Sequence, residues 1–220
     1  MLSPGAFRGN FAHRAACLLR MQKRIAALAV LLSACPAWAQ TAQMDAPVKA
    51  FAPQHDTTTG KAVSLAELSR THKAMVLVFL ANRCGVTWLY ADKIAALKAR
   101  YGTPGNVAVV GVHSNSEETD AEITAEMKRR GVSLPVIDDK KTQTVADYFG
   151  ATVTPYFVVI DSKGVLRYRG PFDKMGGSLP DAKRPQYLRP ALDAVLGGKP
   201  VVQKTVRAIG CEITRRTTVE

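Results

Sequence analysis

An apolar run that ends just before a cysteine constrains the fold of this chain more than any other stretch of its sequence. Residues Met75–Leu80 are all apolar, which is typical of a strand covered on both faces. After a polar break, apolar side chains recur at three- and four-residue spacing, as on one face of a helix, at Val86, Leu89, Tyr90, Ile94, Leu97 and Tyr101. Cys84 is therefore predicted at the junction of a buried strand and a helix.

This position favours a reactive thiol at Cys84. The free N–H groups at a helix N-terminus carry a partial positive charge, which stabilises a thiolate relative to a thiol. The neighbouring Arg83 adds to that field, and thiols with such surroundings are the nucleophilic ones. The alternative is a buried and inert cysteine, which is a common state of free cysteines in folded proteins.

Residues 1–39 have the pattern of a secretory signal peptide. Met21–Arg24 supplies a positive segment, Ile25–Leu32 an apolar core, and Ala37-Trp38-Ala39 small residues at the two positions that a signal peptidase reads. Residues 1–20 either extend the positive segment or follow an upstream start that is not used. The sequence therefore predicts an exported, periplasmic protein.

A second interpretation of the same region also predicts export, but with a different mature N-terminus. Leu32-Ser33-Ala34-Cys35 resembles a bacterial lipobox, in which Cys35 would carry the lipid. Pro36 directly after it, and the good site at Ala39, favour simple cleavage. We expect membrane association only if Cys35 is lipidated.

Removal of the leader changes the charge and the cysteine count. Cleavage after Ala39 takes away five basic residues and no acidic one, so the formal net charge falls from +12 to +7. Up to the C-terminal tail, the remaining basic residues are dispersed among acidic ones, which indicates a solvated surface or one that attracts anionic lipid or an acidic partner. We expect no nucleic-acid partner, because the protein is predicted to be exported. Cys84 and Cys211 remain in the mature chain, and the sequence alone does not show whether they meet.

The rest of the pattern alternates strands and helices and then turns through a hairpin at Asp161–Gly164. This order predicts an α/β domain with a central mixed sheet flanked by helices. We assign residues 40–50 to a flexible leader, 51–198 to this domain and 199–220 to a basic C-terminal tail. Asp173 is expected in a turn.

Several motifs, taken in order, resemble the redoxin branch of the thioredoxin superfamily: Gly60–Leu65, Phe79–Thr87 and Val153–Asp161. That branch holds exported TlpA-like thiol oxidoreductases and AhpC/TSA peroxiredoxins. Gly210-Cys211-Glu212-Ile213 resembles the C-terminal pattern of exported, peroxiredoxin-like members. The resemblance covers about residues 51–213 and implies a thioredoxin-like fold.

The resemblance also implies roles for individual residues. Cys84 matches the nucleophilic cysteine, and Thr154-Pro155 matches the loop whose cis-proline faces that thiol. Cys211 is the candidate resolving cysteine because it is the only other cysteine of the predicted mature chain, acting within the chain or from a second subunit, with a structural disulfide or a buried tail anchor as the alternative roles. We expect substrate contacts from Arg83, Gly85, Thr87, Trp88, Thr154 and Pro155, although Trp88 fits either the lip of the site or the core.

The chain departs from the pattern of the family at several positions. Thr87 stands where a thioredoxin-type motif has its second cysteine, and Ala81 stands where some relatives carry an upstream one. The positions of the proline, threonine and arginine that orient peroxide in peroxiredoxins correspond to Leu77, Ala81 and Thr154, and none fits. A dithiol within one motif is therefore excluded, and peroxide reduction lacks its usual residues.

Two functions follow from these patterns. The first is a thiol-disulfide oxidoreductase or peroxiredoxin-like antioxidant protein, in which Cys84 attacks a disulfide or a peroxide. Its partners would be a protein or small-molecule substrate and an external thiol reductant. The second is a redox-inactive binding or chaperone-like module. We expect no cofactor and no metal, because the mature-chain histidines lie on separate segments without ligand spacing, at His55, His72 and His113.

Overall fold

The structure, a computed structural model, describes residues 41–103, 105–175 and 183–216. The predicted signal peptide and Cys35 lie outside these residues. Within the three described ranges, no helix combines the length and the apolar character that are needed to cross a membrane.

Strands and helices alternate along most of the described chain. The strands are β1 (Gln54–His55), β2 (Ala62–Val63), β3 (Ala74–Leu80), β4 (Val107–His113), β5 (Val136–Asp138), β6 (Val153–Thr154), β7 (Tyr156–Asp161), β8 (Leu166–Gly170) and β9 (Cys211–Glu212). The helices are α1 (Leu65–Thr71), α2 (Gly85–Leu89), α3 (Ala91–Tyr101), α4 (Asp120–Arg129), α5 (Thr144–Phe149) and α6 (Leu188–Leu196).

A five-stranded mixed sheet in the order β5-β4-β3-β7-β8 forms the centre of the domain. β4 runs parallel to both β3 and β5, whereas β7 is antiparallel to β3 and β8. Two short antiparallel pairs, β1–β2 and β6–β9, lie outside this sheet. The prediction of an α/β domain with a central mixed sheet is confirmed.

Strand β3 is buried along its whole length because both faces of the sheet are covered. Its alternate residues belong to two core clusters, as the two-residue period of a strand requires. Val78 packs in the cluster that contains Ile94 of α3, and Leu77 packs in the cluster that contains Phe149 of α5. The C-terminal end of β3 is therefore a well-supported base for the loop that carries Cys84.

The single helix that was predicted to follow Cys84 is two helices. α2 ends at Leu89 and α3 begins at Ala91, with Tyr90 between them at φ −99° and ψ 3°. Leu89, predicted on the buried face, is 78% exposed. That prediction was wrong because it extended one helical period through the break at Tyr90.

Both ends of the described chain pack against the sheet. Residues 41–50, predicted as a flexible leader, instead lie along the β7–β8 hairpin, where the N–H of Asp45 donates to the Leu166 carbonyl at 2.9 Å. In the predicted tail, the carbonyl of Lys204 accepts from the N–H of Arg169 at 2.9 Å. These contacts join backbone groups, so the polar side chains of the two segments do not reveal them.

Candidate active site

The candidate site is centred on Cys84, which caps the N-terminus of α2. Its backbone is extended, and its Sγ accepts a hydrogen bond from the N–H of Thr87 at 3.4 Å. The side chain is only 1% exposed. The predicted junction of strand and helix is therefore present, but the thiol lies beneath other groups and not at the surface.

Cys211 reaches Cys84 because the tail forms a strand beside the cis-proline loop. β9 pairs with β6 so that Cys211 lies opposite Thr154, and the Thr154–Pro155 bond is cis. The two Sγ atoms are 2.6 Å apart, and both cysteines are free thiols in this structure. The Sγ of Cys84 also donates to the Thr154 carbonyl at 3.2 Å. The structure thus answers the question that the sequence left open, since the two cysteines meet.

Gly210 permits this close approach of the tail. A Cβ at this position would lie 2.1 Å from the carbonyl oxygen and 2.8 Å from the carbonyl carbon of Thr154. Both are backbone atoms of β6, which cannot move aside as a flexible side chain would. Glycine is therefore required here for contact between two backbones, and not for an unusual φ angle.

The tail beyond Cys211 is held on its far side as well. The N–H of Ile213 donates to the Thr152 carbonyl at 2.9 Å, and the Ile213 side chain is buried. The N–H of Thr214 donates to Oδ1 of Asn115 at 2.8 Å, and its carbonyl accepts from the side chain of Gln143 at 2.8 Å. These bonds anchor the segment that carries Cys211 over Cys84.

The surroundings of the two thiols separate their pKa values. Burial raises the pKa of Cys84, but hydrogen bonds from Cys211, Thr154 and Thr87 more than offset it, so the pKa lies below its ordinary value. Burial and the hydrogen bond to Cys84 raise the pKa of Cys211. With Cys84 as a thiol, the buried hydroxyls of Thr87 and Thr154 have no hydrogen-bond partner among the described residues, so both are available to donate to Cys84 once it is a thiolate.

We predict that Cys211→Ala raises the pKa of Cys84, because it removes the hydrogen bond that lowers that pKa most. The pH dependence of the ultraviolet thiolate absorbance measures the change. Ile209→Ala is the matched control, since Ile209 is on the same segment and is 64% exposed. A Cys84 pKa that stays the same or falls in Cys211→Ala would contradict the contribution of Cys211 to the lowered pKa of Cys84.

A buried carboxylate supports the loop that leads to Cys84. Glu118 accepts from the N–H of Asn82 at 2.6 Å and from the N–H of Arg83 at 2.8 Å, and it lies 2.9 Å from Nε2 of His113. Burial raises the pKa of Glu118, but the bonds from His113 and the two backbone groups outweigh it, so the pKa is lowered. Glu118 is consequently a fixed anion beneath the active-site loop.

Sequence reasoning missed Glu118 and misjudged its partner. Glu118 is one of several acidic residues near the start of α4, and no local pattern marks it as buried. From the sequence, His113 was considered only as a metal ligand, but it is the last residue of β4, has no exposed surface and lies beside Glu118. A continuous apolar strand that ends in histidine was the one available signal for a polar group at this sheet edge.

Trp88 belongs to the core and supports the same loop. Its side chain is only 6% exposed, and its indole N–H donates to the Asn82 carbonyl at 2.6 Å. This placement answers the choice that the sequence left open between the lip of the site and the core. Trp88 fixes the loop from its carbonyl side, whereas Glu118 holds it through N–H groups.

We predict that Trp88→Phe lowers the free energy of unfolding by about 1 kcal/mol, because the Asn82 carbonyl loses its hydrogen bond while the aromatic packing is largely kept. Chemical denaturation of the reduced protein measures the change. Leu89→Ala, at the exposed neighbouring position, serves as the control and should leave the stability within ~0.5 kcal/mol. Equal stability of Trp88→Phe and wild type would count against a structural role for this bond.

The other predicted site residues are distributed around the pair. Arg83 is mostly exposed and forms an ion pair with Glu122 at 3.1 Å. Gly85 is the first residue of α2, and Pro155 follows Thr154 directly after β6. Both therefore lie on the two segments that meet at Cys84.

Asp173 was expected in a turn, but its carboxylate is buried and bonded to other side chains. Asp173 has no exposed surface, and its carboxylate accepts from the Tyr90 hydroxyl at 2.5 Å and from Lys93 at 2.6 Å. Its partners lie at the junction of α2 and α3, so it anchors the helices that follow Cys84. A single sequence cannot distinguish such a buried aspartate from an exposed turn residue.

Comparisons with known proteins identify the family and the fold of this chain. The family model described as AhpC/TSA family matches residues 44–169. A hypothetical protein from Sinorhizobium meliloti 1021 is 32% identical with a TM-score of 0.68, over 81% of this chain and 97% of that one. An uncharacterized conserved protein from Geobacillus kaustophilus is 25% identical with a TM-score of 0.68, over 83% and 96% of the two chains. No curated protein matches the chain.

A more distant structure shares the fold alone. It is the C-terminal domain of a candidate thiol-disulfide oxidoreductase from Bacteroides thetaiotaomicron, 10% identical with a TM-score of 0.55, over 71% of this chain and 98% of that one. The fold implied by the sequence motifs is therefore confirmed as thioredoxin-like. Because the family model matches more than half of the residues, this chain belongs to the AhpC/TSA family.

Proposed function

We propose that the protein is an exported thiol-disulfide oxidoreductase whose redox-active pair is Cys84 and Cys211. The observation that carries this proposal is the distance of 2.6 Å between their sulfur atoms, across a junction of three separate segments. Two thiols held this close can form a disulfide after a small movement. The pair thus replaces the second cysteine that is missing at Thr87.

The proposed reaction is an exchange of two electrons between dithiols and disulfides. When the protein is oxidised, its dithiol gives two electrons and two protons to a substrate disulfide, which becomes two thiols. Cys84 and Cys211 are then joined by a disulfide. An external dithiol restores the reduced pair by the reverse exchange. The lowered pKa of Cys84 supports its role as the nucleophile that closes the internal disulfide.

Reduction of peroxide is less well supported by the site. Thr154 stands where peroxide-reducing relatives are expected to carry an arginine, and the other two matching positions also lack the expected residues. Cys84 is almost fully covered, so a peroxide would have to pass the tail before reaching the sulfur. We therefore favour disulfide substrates.

Export is part of the proposal and is supported by the sequence alone. The positive segment Met21–Arg24, the apolar core and the small residues before Gln40 support cleavage after Ala39. The mass of the mature N-terminus tests this. A chain that begins at Gln40 supports simple export, a lipid-modified Cys35 supports the lipoprotein alternative, and an uncleaved chain would overturn both.

The experiment for the proposed activity uses the full chain, expressed for export and purified. The protein is equilibrated in mixtures of reduced and oxidised glutathione, quenched in acid and mapped by mass spectrometry, and its reduction of insulin is measured with dithiothreitol as the electron source. A reversible Cys84–Cys211 disulfide, together with insulin reduction that Cys84→Ser abolishes, supports the proposal.

Other outcomes of this experiment would reject the proposal in favour of named alternatives. Consumption of hydrogen peroxide that exceeds disulfide exchange, with sulfenic acid trapped on Cys84, would support a peroxidase. The absence of any internal disulfide, with a protein partner bound equally by wild type and Cys84→Ala, would support the binding module.

A further inference from the structure

We propose that external thiols and disulfides exchange with Cys211, and that Cys84 exchanges only with Cys211. Cys211 would thus be the entry point for electrons, and Cys84 the internal partner. This inference rests on the function proposed above and specifies which sulfur atom of the pair reacts with external thiols and disulfides.

Access to the two sulfur atoms is the first argument. Cys84 is 1% exposed, because the tail strand β9 and the carbonyl of Thr154 lie over it. Cys211 is only half-buried. An incoming thiolate therefore reaches Cys211 in the folded protein, whereas it reaches Cys84 only after the tail has detached from β6.

The direction of attack is the second argument. A thiolate approaches a disulfide in line with the S–S bond, from the side opposite the leaving sulfur. Attack on Cys84 would have to come from the side of that sulfur away from Cys211, and the residue is only 1% exposed, so that side is covered in the folded protein. Attack on Cys211 comes from the side away from Cys84, at the half-exposed tail.

The stabilisation of the leaving group is the third argument. When the internal disulfide opens by attack on Cys211, the bond electrons pass to Cys84. The N–H of Thr87 lies 3.4 Å from that sulfur, and the buried hydroxyls of Thr87 and Thr154 are available to donate to it. A thiolate that is better stabilised leaves faster, so the same opening is favoured on chemical grounds.

The complete exchange balances as follows. One thiolate of an external dithiol attacks Sγ of Cys211, the bond between Cys211 and Cys84 breaks, and Cys84 leaves as a thiolate. The second thiol of the reductant then attacks the reductant's first sulfur, which is bonded to Cys211 in the mixed disulfide. Cys211 leaves and takes up the proton of that second thiol. The reductant ends as a disulfide, and the protein ends with Cys211 as a thiol and Cys84 as a thiolate, which becomes a thiol on taking up a proton from solvent. A substrate disulfide is reduced by the same steps in reverse, with Cys84 attacking Cys211 in the mixed disulfide.

The test identifies the cysteine that carries the mixed disulfide. The oxidised wild-type protein is mixed with reduced glutathione, quenched in acid within milliseconds to seconds, digested with pepsin and analysed by mass spectrometry. We expect glutathione on Cys211 at least ~10-fold more often than on Cys84, because access to the buried sulfur is restricted. Equal amounts on the two cysteines, or more on Cys84, would overturn the inference.

Single-cysteine variants provide a second readout that does not depend on trapping. Cys211 in Cys84→Ser should react quickly with Ellman's reagent, whereas Cys84 in Cys211→Ser should react slowly in the native state and at the ordinary rate in denaturant. Fast native reaction of Cys84 would contradict the inference. Failure of the proposed function is distinct, because the wild-type protein would then form no internal disulfide to be opened.

Discussion

Gly210→Ala is expected to slow the formation of the Cys84–Cys211 disulfide by roughly 100-fold, because small displacements of reacting groups have effects of that order. The added Cβ would lie 2.1 Å from the Thr154 carbonyl oxygen, far inside the contact distance. The β6–β9 pair must therefore separate, and Cys211 moves away with the tail. The rate of disulfide formation after addition of oxidised glutathione to the reduced protein measures the effect.

A second measurement shows whether the tail has moved. In Cys211→Ser, Cys84 should be protected from Ellman's reagent, and addition of Gly210→Ala to this variant should expose it. Ile209→Ala is the control, since it shortens an exposed side chain next to Gly210 without altering the backbone contact. Wild-type rates of disulfide formation in Gly210→Ala would show that the close approach of the two strands is not required.

Glu118→Gln is expected to lower the free energy of unfolding by about 2 kcal/mol, because one buried backbone N–H of the active-site loop loses its acceptor. The N–H groups of Asn82 and Arg83 donate to different carboxylate oxygens of Glu118. Glutamine keeps one of these oxygens, but its amide nitrogen cannot accept the other bond. Chemical denaturation at neutral pH measures the effect. Glu117→Gln is a matched control on the exposed neighbouring carboxylate.

The difference between Glu118→Gln and wild type should depend on pH with a defined sign. The pKa of Glu118 is lowered in the folded protein, so its carboxylate stabilises the fold above the unfolded-state pKa. That stabilisation is lost as the pH falls through the folded-state pKa. The stability difference should therefore narrow in acid, and a difference that widens there would contradict the assignment of Glu118 as a buried anion.

The sequence predicted the parts of the site that local patterns encode. The apolar run before Cys84 identified the central strand and the cap of α2, and Thr154-Pro155 was recognised by resemblance. Leu89 was placed wrongly because periodicity does not reveal the break at Tyr90. The contact of Cys84 with Cys211 could not be predicted, since it depends on backbone pairing between β6 and β9, which leaves little trace in side-chain type. Glu118 was missed for a related reason, because its burial depends on where β3 and β4 end.

The pairing of β9 with β6 makes the oxidation state of the pair and the stability of the fold mutually dependent. A bond between Cys84 and Cys211 would close a loop that includes most of the domain, and in the chain-entropy description such a loop destabilises the unfolded ensemble by about 5 kcal/mol. By thermodynamic reciprocity, the folded state must favour the disulfide over the dithiol by the same amount relative to the unfolded chain. A partner that withdraws electrons from the pair would then also stabilise the domain against unfolding, and a partner that supplies them would return the protein to its less stable state.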